Sequence, residues 1–284
     1  MSVRSLHSAA LVRVFRFLWL GRVTSPTPRI PPGSLILAAH YNGLVDGFAY
    51  GSVMPPAIGV ISMQWHRSWI GRALFPGIAV QRAKDGVAKG ENLRAFREMT
   101  TGLSGGDRLL FFPEGTSRLG TARLPIARGT EVLLRNARRL NPPPAVYFCA
   151  AHYHSPTRWK SAISIGWTGP MNLADVAEPD AAWVAENLRA AQAAAYAAPA
   201  PRQFHLTAVA ALLAAPYLPL WAFVAILARR IADDTNVISL WKLLFGVPLT
   251  LIFAIGLTAF AIAAGYGWWW PVASLIGGWL LWNR

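Results

Sequence analysis

A histidine and a carboxylate stand six positions apart near the start of the chain, at His40 and Asp46. Histidine is the usual general base because its ordinary pKa lies near neutral pH, and a carboxylate can orient its ring. Six positions turn about 240° net around an α-helix, so the two side chains cannot meet on one helical face. We expect His40 at a strand end and Asp46 just inside the next helix, so that the intervening turn brings them together. The alternative interpretation is that His40 is a histidine of a surface loop and Asp46 is only an acidic residue at the start of a helix.

A second polar segment, residues 111–118, reads Phe-Phe-Pro-Glu-Gly-Thr-Ser-Arg. Pro113 and Gly115 favour a tight turn, but a turn alone does not account for Glu114. Arginine suits phosphate because its planar guanidinium can donate two hydrogen bonds at once. Several arginines lie near these two segments in the sequence. Each of them also fits a solvated surface position.

The 284-residue chain is strongly basic, with a formal net charge of +14. Nucleic acid, anionic lipid and a phosphorylated substrate would each be attracted by such a field. The single cysteine, Cys149, excludes an intramolecular disulfide, and its apolar surroundings indicate a buried structural thiol. His152 and His154 alternate at a strand end and so point the same way. A metal site would need a third ligand, and because none is evident we predict no metal site.

Runs of strand type and helix type alternate, which predicts an α/β fold with a layered sheet flanked by helices. Asn42 is expected to cap the helix that carries Asp46, and Asp180 to cap the last helix of this part. The predicted strands cover residues 35–39, 57–63, 78–81, 108–112, 145–151 and 162–167. The predicted helices cover residues 43–50, 93–103, 126–140 and 181–198.

The N-terminal residues 5–22 are predicted to form a helix, with apolar positions at helical spacing interrupted by Arg13, Arg16 and Arg22. These arginines argue against a signal peptide. We interpret the segment as a helix that lies in the headgroup plane of a membrane. A core helix of the soluble domain is the alternative.

The last part of the chain is far more apolar than the rest. Residues 206–228 and 243–282 contain no formal charge, and about 20 apolar residues suffice for a helix to cross the hydrocarbon. We therefore expect a catalytic domain in residues 1–202, including the N-terminal helix, and a membrane-embedded helical region in residues 203–284. The second uncharged run could form a hairpin with a turn near Gly265-Tyr266-Gly267.

Charge does not fix the topology of these runs. The connecting loop carries Arg229, Arg230 and Lys242 and should be cytoplasmic by the positive-inside tendency, as should the basic catalytic part. If residues 206–228 crossed the membrane once, the loop and the catalytic part would lie on opposite sides. Pro216 and Pro219 could instead mark a broken, re-entrant segment. The number of spans stays open.

The polar motifs resemble those of the glycerophospholipid acyltransferase superfamily, the family of bacterial lysophosphatidate acyltransferases. The likeness covers about residues 35–152. The family's usual first motif is His-x4-Asp, whereas this chain has His-x5-Asp, with Tyr41 where a subgroup of similar spacing has proline. The matching blocks, in the family's order, are His40 with Asp46, Gly77-Ile78-Ala79-Val80-Gln81-Arg82 and Phe112-Pro113-Glu114-Gly115-Thr116.

This resemblance implies that His40 takes the proton from an acceptor hydroxyl and that Asp46 holds the imidazole in the required tautomer. The alkoxide would attack an acyl thioester directly, so that Cys149 has no chemical role. The residues that the resemblance implies for substrate binding are Arg82 at the acceptor phosphate, Glu114, Gly115 and Thr116 around the glycerol part, and Arg118 and Arg128 as further phosphate contacts.

The implied activity is that of a membrane-bound O-acyltransferase of phospholipid biosynthesis, similar to a 1-acylglycerol-3-phosphate O-acyltransferase. Its donor would be acyl-CoA or acyl carrier protein as co-substrate, its acceptor a lysophospholipid such as lysophosphatidate, and no cofactor or nucleic acid would take part. We expect the catalytic domain on the cytoplasmic side of a bacterial inner membrane. Glycerol 3-phosphate or an amino-acid lipid is the alternative acceptor. A non-catalytic basic protein that binds membrane or nucleic acid is the alternative class.

Overall fold

A mixed sheet forms the centre of the protein. The computed structural model describes residues 3–81, 92–117, 124–157, 161–199, 212–232 and 238–282. Within these ranges seven strands form one sheet in the order β1-β7-β6-β2-β5-β3-β4. The strands are β1 Val23–Thr24, β2 Leu35–Ala38, β3 Ile58–Ser62, β4 Gly77–Val80, β5 Leu109–Phe111, β6 Ala145–Tyr153 and β7 Ile163–Asn172.

Helices flank the sheet and follow it in the chain, which confirms the predicted combination of sheet and flanking helices. The described helices before the C-terminal part are α1 Val3–Leu18, α2 Leu44–Gly51, α3 Met63–His66, α4 Trp69–Leu74, α5 Leu93–Ser104, α6 Arg128–Arg138 and α7 Ala181–Ala197. Those of the C-terminal part are α8 Leu218–Ile231, preceded by a 3-10 turn at Ala215–Tyr217, α9 Ile238–Ala263 and α10 Trp270–Trp282.

Strand β2 lies at the centre of the sheet, parallel to β5 on one side and to β6 on the other. In this register Leu37 pairs with Phe111 and Ala38 with Cys149. Parallel neighbours end at the same edge, so the residues after β2, β5 and β6 are brought close together. Strand β7 is antiparallel to β6, and β1 is parallel to β7.

Both faces of the sheet are buried, which explains the continuously apolar central strands. In β2, Leu35 and Leu37 belong to a core completed by α5, α6 and α7, while Ile36 and Ala38 belong to a second core with α1 and α2. Burial of one such leucine or isoleucine stabilises the fold by about 1.5–3 kcal/mol. The turns at the edge of the sheet are therefore supported by a core that is packed on both faces.

The predicted elements differ from the structure mainly at their ends and in short segments. Helix α1 ends at Leu18 and not at residue 22, because the chain after it is tied to the sheet: Val23 pairs with Ile163, and Gly21 N donates to Ser161 O at 3.2 Å. The sequence pattern does not predict β1, α3 or α4. Each of these has at most six residues, too few for a periodic signal.

The predicted cap of α2 is wrong, whereas that of α7 is confirmed. The residue at the start of α2 is Gly43, whose φ of 55° is a conformation that glycine adopts at little steric cost. Asn42 makes no cap there and donates from Nδ2 to the carbonyl of Pro156 at 2.9 Å. At α7, Oδ1 of Asp180 accepts a hydrogen bond from Trp183 N at 2.8 Å.

Two described helical segments, Leu212–Ile231 and Trp241–Ala263, are long and apolar enough to cross a membrane. In the most apolar 18-residue window only 22% of the first is buried, and only 6% of the second. The predicted turn near Gly265 lies between α9 and α10. The predicted domain boundary near residue 202 falls outside the described residues, so it stays a prediction.

Helix α1 has one packed side and one exposed side. The ring of Phe15 stacks on that of Phe48 of α2, with centroids 4.0 Å apart. On the other side Val14 and Phe17 are 55% and 59% exposed, beside the exposed Arg13. These exposed apolar side chains fit an interfacial helix, whose place in a membrane stays a prediction.

Candidate active site

Three parallel strand ends carry the polar side chains of the candidate site. His40 follows β2, Glu114 follows β5, and Tyr153 ends β6. The carboxyl ends of parallel strands are the usual position of a ligand in open α/β sheets. The sheet register thus brings together residues that are far apart in the sequence.

The first pair is the one predicted from the sequence. Nδ1 of His40 lies 2.9 Å from Oδ2 of Asp46, with the carboxylate side chain fully buried and the imidazole 17% exposed. In the neutral tautomer whose Nδ1 donates to this carboxylate, Nε2 is the ring nitrogen that can accept a proton. The turn brings the two side chains together as expected, while their catalytic roles stay a prediction.

Asp46 is held by more groups than His40. Its Oδ2 also accepts hydrogen bonds from the backbone N–H groups of Tyr41 at 2.6 Å and Asn42 at 2.7 Å. Its Oδ1 accepts a hydrogen bond from the phenol of Tyr153 at 2.5 Å. Four donors compensate the charge of this buried carboxylate and fix its orientation.

Tyr153 was not predicted as a site residue. Burial raises the pKa of its phenol well above the ordinary value, and the charge of Asp46 and the hydrogen bond to it raise the pKa further. The phenol therefore stays protonated and acts as a donor. The sequence signal was the apolar strand at 145–151, which continues two residues further to Tyr153.

The segment after β5 forms a bend against His40. Oε2 of Glu114, a residue only 6% exposed, accepts a hydrogen bond from the backbone N–H of His40 at 2.8 Å. Gly115 has a φ of 67°, and its N–H donates to Phe112 O at 3.1 Å. The ring of Phe112 stacks on the imidazole, with centroids 4.3 Å apart. The bend thus contacts both the backbone and the ring of His40.

Helix α6 anchors this bend. The carbonyl of Pro113 accepts hydrogen bonds from Ala127 N at 2.8 Å and from Thr130 Oγ1 at 2.9 Å. Thr130 is fully buried, so this contact is shielded from water. Residues at the start of α6, including Arg128, are therefore held next to the bend.

The structure brings most of the other predicted site residues to one cavity. Glu114, Gly115, Thr116 and Arg128 line the same cavity as His40. Arg128 is exposed at the first position of α6. The remaining two predicted residues, Arg82 and Arg118, lie outside the described residues.

The cavity has a volume of about 990 Å³ and extends from His40 along α2 to α1. Its walls are mostly apolar and aromatic, whereas Arg13 and Arg16 line it on α1. The apolar side chains that line it include Val12, Phe48, Ile61, Trp65 and Phe75. Such a cavity suits a long apolar ligand with a polar end near His40.

Cys149 and the pair His152 and His154 also have reactive side chains, but they do not line this cavity. Cys149 is fully buried, and burial, followed by the charge of Asp46, raises the pKa of its thiol well above the ordinary value. On the α7 side of the sheet, the ring of His152 contacts those of His154 and Tyr196 at 4.5 and 4.4 Å. Among the described residues no group of three or more His, Cys, Asp or Glu side chains could hold a metal ion.

The solved structures that resemble this chain include the crystal structure of a 1-acyl-sn-glycerophosphate acyltransferase from Thermotoga maritima. The two chains share 14% sequence identity and align with a TM-score of 0.49 over 67% of this chain and 79% of that one. No protein-family model matches the sequence. No curated protein matches it either.

Proposed function

We propose that this chain is a membrane-bound acyltransferase that moves a fatty acyl group from an acyl thioester to the glycerol hydroxyl of a lysophospholipid such as lysophosphatidate. The observation that carries the proposal is a histidine, hydrogen-bonded to a buried carboxylate, on the wall of an apolar cavity of about 990 Å³. Deprotonation of an alcohol needs a base, and an acyl chain needs an apolar enclosure. The cavity that contains His40 provides both.

In the proposed reaction His40 acts as general base through Nε2. It takes the proton of the acceptor hydroxyl as the oxygen attacks the thioester carbonyl, while Asp46 stabilises the imidazolium that forms. The C–O bond forms, the C–S bond breaks, and the proton passes from the imidazolium to the departing thiolate. General base catalysis contributes about 100- to 10,000-fold to such a step.

The donor in this proposal is acyl-CoA or acyl carrier protein, used as co-substrate, and the balanced reaction needs no cofactor. Transfer is direct, so no acyl-enzyme forms. The buried Cys149, with its raised thiol pKa, would be a poor nucleophile. The acyl chain would occupy the apolar cavity, where each buried CH₂ group stabilises binding by about 0.8 kcal/mol.

The acceptor's phosphate would be bound by arginines. Arg128 is exposed and lines the cavity, and we propose Arg82 and Arg118 as further contacts on the basis of the sequence motifs. Glu114, Gly115 and Thr116 would position the glycerol part, because all three line the cavity that contains His40.

A membrane location is part of the proposal. The helical segments Leu212–Ile231 and Trp241–Ala263 have the length and apolarity of spans, and α1 exposes apolar side chains beside Arg13. We propose residues 1–202 as the catalytic domain, on the cytoplasmic side, and residues 203–284 as the membrane-embedded region. A site at the interface would meet acceptor that is already concentrated in lipid.

The test is acyl transfer by the purified full-length protein in mixed micelles, with release of the donor thiol as readout. Labelled acyl-CoA and acyl carrier protein are each combined with lysophosphatidate, glycerol 3-phosphate or an amino-acid lipid. We expect acceptor-dependent thiol release with lysophosphatidate, and a loss of at least about 100-fold in H40A. The matched control H152A removes a histidine on the other face of the sheet and should keep its activity.

Near-normal turnover in H40A would refute the proposed mechanism. Release with glycerol 3-phosphate or the amino-acid lipid alone would keep the chemistry but change the acceptor. If no acceptor supports release and the protein binds nucleic acid in a salt-sensitive manner, the non-catalytic alternative is correct.

A further inference from the structure

The start of α9 contacts the segment that follows β6. Oγ of Ser239, which is fully buried, donates to the carbonyl of Pro156 at 2.9 Å. Nζ of Lys242, one helical turn further along, donates to the carbonyl of Thr157 at 2.8 Å. Two polar side chains at the start of a largely apolar helix thus hydrogen-bond to one short loop.

The same loop holds the turn that carries the proposed base. The carbonyl of Pro156 also accepts a hydrogen bond from Nδ2 of Asn42 at 2.9 Å, and Asn42 is 1% exposed. The backbone N–H of Asn42 donates to Asp46, whose carboxylate binds His40. A continuous series of hydrogen bonds therefore joins Ser239 to the imidazole through one carbonyl group.

A second connection runs through the end of β6. Tyr153, three positions before Pro156, donates to the other carboxylate oxygen of Asp46. Residues 153–157 therefore contact Asp46 at one end and α9 at the other. Apolar packing supports the same arrangement, because Leu243 of α9 packs against the core that contains Val45 of α2.

The rest of α9 is different in character. From Leu243 to its end at Ala263 the helix carries no charged residue. Other parts of the protein bury little of this segment. A helix that served as an anchor alone would need only this apolar part. The contacts of Ser239 and Lys242 indicate that the first two turns of the helix have a second role.

We propose that the first two turns of α9 are a positioning element of the active site, in which Ser239 and Lys242 hold residues 153–157 and thereby fix Asn42, Asp46 and His40. The consequence for turnover rests on the acyl transfer proposed above, whereas the mechanical connection does not. A displacement of about 1 Å in a reacting group can slow catalysis by about 100-fold. The seating of α9 in a bilayer would then set the position of the base relative to the lipid surface.

The test compares variants of the full-length protein. S239A removes the hydroxyl donor and K242M removes the ammonium donor, and the two changes are made singly and together. As conservative variants, S239T retains a hydroxyl and K242R retains a cationic donor. The matched control T258A removes another α9 hydroxyl, which bonds only the carbonyl of Ala254 within the helix at 2.8 Å among the contacts described. The readouts are kcat and acceptor KM, resistance to carbonate extraction from membranes, and hydrogen exchange of the amides of Tyr41 and Asn42.

We expect kcat of S239A/K242M to fall by about 10- to 100-fold, with acceptor KM and membrane retention unchanged. The two amides should exchange faster, since their acceptor Asp46 is less firmly held. S239T and K242R should recover most of the loss, and T258A should match the wild type. If the double variant does not fold, S239A alone tests the same carbonyl contact.

Unchanged kcat and unchanged exchange in folded S239A/K242M would overturn the proposal. So would a loss of kcat that only parallels a loss from the membrane, because α9 would then be an anchor alone. If the wild type shows no acyl transfer but the variant exchanges faster at Tyr41 and Asn42, the positioning role is supported and the proposed function fails.

Discussion

The phenol of Tyr153 donates a hydrogen bond of 2.5 Å to Oδ1 of Asp46. His40 contacts the other carboxylate oxygen, Oδ2. The pair predicted from the sequence is therefore part of a three-residue arrangement, with the imidazole on one oxygen and the phenol on the other. The raised pKa of Tyr153 keeps the phenol protonated. The carboxylate cannot rotate away from His40 without breaking a short hydrogen bond.

Substitution of Tyr153 by phenylalanine should slow catalysis. A hydrogen bond to a charged group is worth about 1.5–3 kcal/mol, so Y153F should lower kcat by about tenfold and the free energy of unfolding by about 1–3 kcal/mol. Kinetics of thiol release and a denaturant titration in detergent measure the two effects.

Y147F is the matched control for Y153F. Tyr147 is buried, and its phenol donates to the carbonyl of Arg29 at 3.0 Å instead of to Asp46. It should lose stability and retain kcat. Equal kcat losses in the two variants would show that Tyr153 acts through the fold alone.

Local sequence patterns predicted the parts of the site that depend on neighbouring residues. His40 and Asp46 meet because a strand, a tight turn and a helix follow one another, and each of these has a local signal. The side chain of Asn42 was misassigned, because its partner Pro156 lies 114 positions away. Tyr153 was missed for a related reason, since the parallel pairing of β2 and β6 joins distant segments.

Glu114 allows a structural role to be separated from a substrate-binding role. E114Q keeps an oxygen that can accept the backbone N–H of His40, whereas E114A leaves this donor without that acceptor, at a cost of about 1–3 kcal/mol. We expect E114Q to melt near the wild-type temperature but to raise acceptor KM, and E114A to lower both stability and kcat. E186Q, an exposed change on α7, is the control for loss of charge. An E114Q variant with wild-type KM would limit Glu114 to holding the bend.

His152 should make the protein less stable in acid. Burial, followed by the neighbouring His154, lowers the pKa of His152 from its ordinary value of 6.5. Below about pH 6.5 the unfolded chain therefore binds more protons at this residue than the folded protein does, and stability falls as the pH falls through the lowered pKa. In H152Q the drop in melting temperature between pH 7.5 and pH 5.5 should be smaller than in the wild type. An undiminished drop would assign the acid sensitivity to other groups.

Gly47 offers a test of the cavity as the site of the acyl chain. It lies on α2 and lines the cavity, and a Cβ atom added there would meet no other atom within 4 Å. G47A should therefore be tolerated and raise helix stability by about 0.5–1 kcal/mol.

G47F projects a large ring into the cavity, so it should shift donor preference towards shorter acyl chains, measured as kcat/KM over a series of acyl-CoA lengths. The control is G256F, a helical glycine of α9 with equally open surroundings outside the cavity lining. The same preference in G47F and the wild type would mean that the acyl chain binds elsewhere.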